Sequence, residues 1–210
     1  MTELVVNNLH VFRGERHVLR GVSFALSAGR CLQVTGANGA GKTTLLRSLC
    51  GFVEAENAEL RWCGRVSTFN DHEYHAELGY LGHDAPLKGD LDARENLCFA
   101  VGIRRRVSAA DIGAALDEVG ARDFADRPVR RLSAGQRRRV AFAQLQLGQS
   151  RLWLLDEPTT NLDIAGQHLV RDLLARHLAK GGMAIAATHQ TLHLEAALLD
   201  RLELAAGASA

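Results

Sequence analysis

The sequence has no long apolar segment and no excess of one charge. No stretch approaches the roughly 18–20 apolar residues of a membrane-spanning helix, and residues 1–5 lack the basic start and apolar run of a signal peptide. Lysines and arginines number 25 against 24 acidic residues, so the overall charge does not indicate a nucleic-acid partner. We expect a cytosolic protein, or one held at a membrane through a partner.

Cysteines are few and scattered along the chain. Cys31, Cys50, Cys63 and Cys98 form no Cys-x-x-Cys pair and no cluster with histidine. Such spacing indicates neither a metal site nor a disulfide framework, and it is typical of buried, reduced thiols in a cytosolic protein. We therefore predict four buried cysteines without a chemical role.

A glycine-rich segment matches the phosphate-binding pattern G-x-x-x-x-G-K-[ST]. An apolar run at residues 31–35 predicts a buried strand before it, and leucines at helical spacing follow it. In a loop between a strand and a helix, backbone N–H groups and the helix N-terminus would surround a polyphosphate. Lys42 would reach the β- and γ-phosphates, and the Thr43 hydroxyl would bind Mg²⁺. The predicted triphosphate-binding residues are Gly36, Ala37, Asn38, Gly39, Ala40, Gly41, Lys42, Thr43 and Thr44.

The remaining pattern predicts a single α/β domain. Short β-like pieces broken by Gly14, Gly21 and Gly29 fill the N-terminal region, and a mostly helical region follows residue 86. From residue 151 strands and helices alternate, which is typical of a parallel sheet flanked by helices. We predict a nucleotide-binding core and an inserted helical subdomain, with a frayed tail after Leu204. The predicted limits are 1–85 and 150–204 for the core and 86–149 for the insertion.

Two adjacent acids end another apolar strand, at residues 152–155. Ligands of open α/β sheets bind at the carboxyl ends of the strands, so both carboxylates are expected at that edge. Asp156 has the chemistry to hold the Mg²⁺ ion of a bound phosphate. Glu157 is suited to orient or deprotonate the attacking water. Such a strand end says little by itself, but the phosphate loop earlier in the chain favours this functional interpretation.

A predicted capping box marks the start of a later helix. Ser133 and Gln136 have the S-x-x-Q spacing, which by itself predicts only an N-cap. A helix N-terminus containing Gly135 also allows a phosphate to approach the backbone. The three arginines at residues 137–139 predict a solvated or core-bracing helix face rather than a nucleic-acid patch.

Together these segments resemble the ATPases of the ATP-binding-cassette (ABC) transporter family over nearly the whole chain. The resemblance implies a P-loop NTPase with a RecA-like parallel-sheet core, an N-terminal antiparallel β subdomain and a helical insertion. The family's motifs occur in order, as the phosphate loop at 36–44, the signature at 132–136, the acidic motif at 154–157, the partner-contacting loop at 160–163 and the switch histidine at 188–189.

The resemblance also implies an assembly and further roles. Two subunits, identical or different, would pair head to tail and enclose two ATP molecules. Each ATP would lie between one subunit's phosphate loop and the other's Ser133, Gly135 and Gln136. His189 would contact the γ-phosphate and act with Glu157 in catalysis.

Two positions depart from the family pattern. Asp84, or alternatively His83, stands where the family usually carries a glutamine that contacts Mg²⁺ and water. An aspartate can ligate Mg²⁺ but adds a charge and lacks the amide donor; otherwise Asp84 is a solvated loop residue. For the group that stacks on adenine, the alternatives are Phe12 and the guanidinium plane of Arg13.

Within the family, the sequence resembles the small CcmA-like ATPase subunits of haem exporters in cytochrome c maturation. The shared segments are 79–83, 91–97, 132–140, 181–182 and 187–190. The resemblance implies a homodimer on the cytoplasmic face of a bacterial inner membrane, held by CcmB- and CcmC-like integral subunits that contact the surface around residues 80–97. Neither nucleic acid nor haem is expected to bind this chain. Another bacterial ABC transporter subunit or a soluble ABC ATPase is the alternative.

Overall fold

The protein folds into an antiparallel sheet, a parallel sheet and surrounding helices. A computed structural model describes residues 2–205, so most of the predicted frayed tail lies outside the described residues. The strands are β1 Thr2–Arg13, β2 Arg16–Ser27, β3 Cys31–Thr35, β4 Glu59–Trp62, β5 Arg65–Ser67, β6 Leu78–Leu81, β7 Leu152–Asp156, β8 Met183–Ala187 and β9 Leu199–Glu203. The helices are α1 Lys42–Leu49, α2 His72–Ala76, α3 Ala93–Gly102, α4 Ala109–Glu118, α5 Ala134–Gly148 and α6 Ile164–Ala179.

The N-terminal sheet is antiparallel, as predicted, with the order β2-β1-β4-β5. Its first two strands are longer than the sequence suggested, because Gly21 lies inside β2 instead of ending a strand. Gly21 and Asn8 of β1 both have left-handed backbone, with φ of 62° and 54°. The pairing register shifts beside each of them, between Val6 and Leu9 at Asn8 and between Leu9 and Val11 opposite Gly21. The predicted break at Gly21 is therefore wrong, because a bulge lets the ladder continue past the glycine.

The second sheet is parallel, with the order β6-β7-β8-β3-β9, which confirms the predicted α/β fold class. Alternate residues of β7 serve two hydrophobic clusters, one on each face. Leu152 and Leu154 pack in the cluster that includes the N-terminal sheet and α1, whereas Trp153 and Leu155 pack among helices α3–α6. Both faces of the parallel sheet are therefore buried, as expected when helices and a second layer cover it.

The segment between β6 and β7 is mostly helical, and side-chain caps set the helix starts. Asp92, Ser108 and Ser133 each accept a hydrogen bond from the backbone N–H three residues later, in complete capping boxes. The two boxes predicted from the sequence, at Ser108 and Ser133, are confirmed. The exact limits of the helical subdomain stay a prediction.

The cysteines divide into two pairs. Cys31 and Cys50 are buried, and burial raises the pKa of each thiol to about 12. Cys63 and Cys98 are exposed, so the prediction of four buried cysteines is wrong for these two. Cys63 lies in the turn between β4 and β5, and Cys98 lies on an outer face of α3. Over residues 2–205 no helix is long and apolar enough to cross a bilayer.

Candidate nucleotide site

The phosphate loop joins the carboxyl end of β3 to the first residue of α1. Gly36 and Gly41 have φ of 144° and 103°, backbone that a residue with a side chain rarely adopts. A Cβ on Gly36 would lie 2.7 Å from the carbonyl oxygen of Leu204, and one on Gly41 would lie 2.6 Å from Cδ2 of Leu19. Both glycines of the pattern are therefore required by the packing of the loop.

Lys42 lies across this loop. Its Nζ donates hydrogen bonds to the carbonyl oxygens of Gly36, at 2.7 Å, and Ala37, at 3.2 Å. Because Gly41 at the N-cap has no side chain, no cap competes for the first N–H groups of α1. The Lys42 ammonium thus lies close to the first N–H groups of α1, an arrangement suited to binding a polyphosphate.

The predicted metal-binding pair lies beside the loop. The Thr43 hydroxyl donates to Oδ1 of Asp156 at 3.2 Å, whereas Oδ2 of Asp156 is buried without a hydrogen-bond partner in the described part of the chain. Burial raises the pKa of Asp156; the Thr43 hydrogen bond opposes this shift, and the charge of Glu157 adds to it. An orphaned carboxylate oxygen next to a hydroxyl fits a hard cation such as Mg²⁺.

The same carboxylate predicts a stability effect. Asp156→Asn should stabilise the nucleotide-free protein by about 1 kcal/mol, or about 2–4 °C in Tm, because it removes a buried charge. Since folding raises the pKa of Asp156, the penalty on the native state grows as the pH rises above the pKa of the unfolded chain, and it is complete above the raised pKa of the folded protein. The gain should therefore be full at pH 8 and shrink as the pH falls and the wild-type carboxyl becomes protonated.

Thermal unfolding of both proteins between pH 5 and pH 8, without nucleotide or Mg²⁺, measures this effect. The exposed Asp123→Asn is the control and should leave Tm unchanged. An Asp156→Asn protein less stable than wild type at pH 8 would contradict the argument.

The two predicted catalytic residues are in contact. Glu157 follows β7 with left-handed backbone, φ 47°, and its N–H donates to the carbonyl oxygen of Ala187 at 2.8 Å. Nδ1 of His189 lies 3.0 Å from one carboxylate oxygen of Glu157, and the Thr188 hydroxyl donates to the other at 3.0 Å. The segment that follows β8 thus holds both oxygens of the carboxylate, which itself follows the neighbouring strand β7.

The signature segment begins α5. Ser133 is the N-cap, and its N–H donates a hydrogen bond to Oε1 of Gln136, at 2.9 Å. A Cβ on Gly135 would lie 3.0 Å from the carbonyl oxygen of Asn161. Gly135 is therefore needed for packing against the 160–163 loop of its own chain, in addition to its predicted place beside a partner's phosphate.

The structure does not bring Asp84 to the predicted metal pair. Its side chain is fully exposed, with Oδ1 3.6 Å from Nδ1 of His83, and within residues 2–205 no hydrogen bond joins it to Thr43 or Asp156. Among the charges that offset the burial of Asp156 is that of His83. The assignments of Asp84 and His83 to this position both stay predictions.

Both predicted adenine contacts lie on the hairpin of β1 and β2. Phe12 is 40% exposed, and its ring stacks on that of His17, with centroids 4.1 Å apart and planes 14° from parallel. Arg13 is exposed at the end of β1. The Phe12 ring is thus held in place while much of its surface stays free, which suits a stacking platform.

One residue near the site was missed by the sequence analysis. Arg138 is 5% exposed and donates to backbone carbonyls beside both acids of the β7 end. The interpretation of the arginine run as core-bracing applies to this residue. A signal was available, because Arg138 precedes the buried Phe142 and Leu145 by four and seven residues, a helical spacing.

The fold and site define an ATPase with a phosphate loop on a parallel sheet, and comparison with known proteins identifies its family. The ABC transporter family model matches residues 19–160. The cytochrome c biogenesis ATP-binding export protein CcmA of Methylococcus capsulatus is 46% identical over 190 residues, or 90% of this chain and 92% of that protein. A second CcmA, from Cupriavidus metallidurans, is 46% identical over 198 residues, or 94% of each chain.

Solved structures agree on the fold. The crystal structure of a nucleotide-free ATP-binding cassette from an ABC transporter superposes with a TM-score of 0.83 at 21% identity, covering 99% of this chain and 89% of that one. The chain belongs to the ATP-binding subunits of the ABC transporter family and, within it, to the CcmA group.

Proposed function

We propose that this chain is the ATP-hydrolysing subunit of a membrane ABC complex that exports haem, or releases haem from a chaperone, during maturation of c-type cytochromes. The observation that carries hydrolysis is the contact of Glu157 with His189 and Thr188, next to the buried Asp156. The haem assignment rests on the CcmA relatives, which are named for cytochrome c biogenesis and match almost their full length.

Each residue of the site has a distinct task in this proposal. Lys42 and the N–H groups of the loop bind the phosphates of ATP, and Thr43 and Asp156 hold Mg²⁺, which neutralises charge on the phosphates. Glu157 orients the attacking water and accepts its proton. His189 holds the Glu157 carboxylate in the observed arrangement and would contact the γ-phosphate in the ATP-bound dimer.

A head-to-tail homodimer would complete each site. The start of α5 supports this proposal, since Ser133 and Ala134 are exposed and the helix N-terminus is available to a phosphate from outside the chain. Each subunit would thus supply this helix end to the ATP bound on the phosphate loop of the other.

Integral subunits of the CcmB and CcmC type would hold the dimer at the cytoplasmic face of the inner membrane. The proposed contact surface is the segment around residues 80–97 and the adjoining face of α3. There Phe99 is 51% exposed with the Lys88 ammonium 4.3 Å from its ring centroid, and Arg94 forms a 2.9 Å ion pair with Asp126. A mixed apolar and charged surface of this kind suits a protein partner.

The test is cytochrome maturation in cells that lack the chromosomal gene. The wild-type chain should restore haem attachment to c-type cytochromes, whereas Lys42→Ala should reduce it by at least about tenfold, because the cation that meets the β- and γ-phosphates is gone. Haem-stained gels measure the attached haem, and immunoblots verify equal amounts of each protein.

Lys180→Ala, which removes an exposed lysine after α6, is the matched control and should restore maturation fully. Normal cytochromes in the deletion strain, or in cells with Lys42→Ala alone, would reject the haem assignment and favour the ATPase of another bacterial ABC transporter. Recovery of the protein without any membrane subunit would favour a soluble ABC ATPase.

A further inference from the structure

Arg138 donates hydrogen bonds to two loops at once. It lies in the second turn of α5 with 5% of its surface exposed. Nε and both terminal nitrogens of the guanidinium donate to backbone carbonyls. The acceptors are Pro158 O at 3.2 Å, Gly82 O at 2.6 Å, His83 O at 3.3 Å, Asp156 O at 2.7 Å and Glu157 O at 2.8 Å.

These carbonyls belong to the two loops that carry the predicted chemistry. Residues 82–83 follow β6 and precede Asp84, whereas residues 156–158 follow β7 and include the metal-binding and water-activating acids. Arg138 is on the helix whose N-terminus holds the signature. One side chain of α5 therefore connects residues 156–158 with residues 82–83. The same helix begins with the signature segment, which is proposed to bind the nucleotide of the other subunit.

Burying a charged group at this point has a physical cost. Burial lowers the pKa of the Arg138 guanidinium to about 10, while the charges of Asp156 and Glu157 act to raise it. The group thus stays protonated at neutral pH. The planar guanidinium can donate to carbonyls of both loops through three nitrogens, whereas a lysine has a single nitrogen as donor.

The backbone that Arg138 holds is itself unfavourable. Glu157 has left-handed φ, 47°, without being glycine, and such backbone persists only where surrounding contacts over-determine it. Hydrogen bonds on both sides of this residue, to Asp156 O and Glu157 O, supply such contacts. Without them only the contacts of Thr188 and His189 and the Glu157 N–H bond to Ala187 would hold this residue.

We propose that Arg138 is a positioning residue that locks the Asp156–Pro158 backbone and the 82–83 loop to α5. The hydrolytic carboxylate and the signature end of the helix then move as one unit. The second half of this inference rests on the proposed dimeric function, whereas the positioning of Glu157 within one chain does not.

Arg138→Gln and Arg138→Lys test the proposal by separating turnover from binding. Arg138→Gln should lower kcat by about 100-fold, the scale expected when a catalytic group is displaced by about 1 Å. The Kd for MgATP should change less than about tenfold, because the Lys42 contacts of the phosphate loop do not involve Arg138, although Arg138 also holds the backbone of Asp156. Arg138→Lys should give an intermediate kcat, because lysine keeps the positive charge but cannot donate to both loops as the guanidinium does.

The control is Arg105→Gln, whose guanidinium donates to Leu147 O at the other end of α5, at 3.1 Å. It should keep kcat within about twofold of wild type. All rates are normalised to the fraction of protein that binds nucleotide, so loss of folded protein does not count as loss of turnover. If Arg138→Gln does not fold, Arg138→Lys decides alone.

A normalised kcat of Arg138→Gln equal to that of Arg105→Gln would overturn the proposal, as would equal loss of kcat and MgATP affinity.

Coupling to α5 is measured in a Glu157→Gln background, where Arg138→Lys should weaken the ATP-dependent dimer by about tenfold. An unchanged dimer would reject the coupling. A wild-type rate per subunit that stays unchanged at concentrations where size-exclusion chromatography with MgATP shows only monomer would contradict the dimeric function and leave the kcat comparison valid.

Discussion

Glu157→Gln should lower kcat for ATP hydrolysis by about 10²–10⁴-fold while MgATP still binds, because an amide cannot accept a proton from water. The geometry makes this substitution informative. The Thr188 hydroxyl and His189 hold the carboxylate from two sides, and an amide oxygen can still accept one of these hydrogen bonds. The backbone and the phosphate loop should therefore stay in place.

Single-turnover hydrolysis and equilibrium binding of MgATP should be measured on the same preparation. Glu73→Gln, an exposed change on α2, is the control and should hydrolyse ATP at the wild-type rate. A Glu157→Gln protein with the native rate would show that another group activates the water. The nearest other acid is Asp156.

Ala134→Glu should abolish hydrolysis of the ATP that is bound to the other subunit of the proposed dimer. Ala134 is the first residue of α5 and is exposed, so a glutamate there would place a negative charge where the proposed dimer would bring the other subunit's γ-phosphate. An acidic residue in the first turn of a helix is favourable in itself, so the fold should not suffer. Gly135 is less suitable for this test, because its Cβ would press on Asn161 of the same chain.

Ala109→Glu provides the matched control, since Ala109 is exposed and follows the Ser108 capping box as Ala134 follows Ser133. It should remain active. The sharper test mixes two inactive proteins, Ala134→Glu and Glu157→Gln. A mixed dimer would contain one site with an intact carboxylate and an intact facing helix, so an equal mixture should recover about a quarter of wild-type activity if subunits pair at random.

Without recovery in the mixture, each site would use its own signature segment and the head-to-tail arrangement would be wrong. Activity of Ala134→Glu at the wild-type level would mean that no phosphate approaches this helix end. Either outcome would leave the nucleotide-binding role of Lys42 intact.

The sequence by itself determined the parts of this protein whose chemistry is contiguous. The phosphate loop could be predicted because its glycines, Lys42 and Thr43 lie within nine consecutive residues, between a strand and a helix that their own apolar spacing predicts. The capping boxes at Ser108 and Ser133 were also predictable, since a cap depends on residues three apart. The acids at the end of β7 were identified for the same local reason.

Tertiary structure decided what depends on residues far apart in the chain. The ladder continues past Gly21 through a shift in its pairing with the facing strand β1, and a Cβ at Gly135 would crowd Asn161. Arg138 became part of the site only because the ends of β6 and β7 lie side by side, an arrangement set by parallel pairing of strands more than 70 residues apart. A local sequence pattern does not show which distant segments lie close together in space. The packing of the two sheets and the helices determines that proximity.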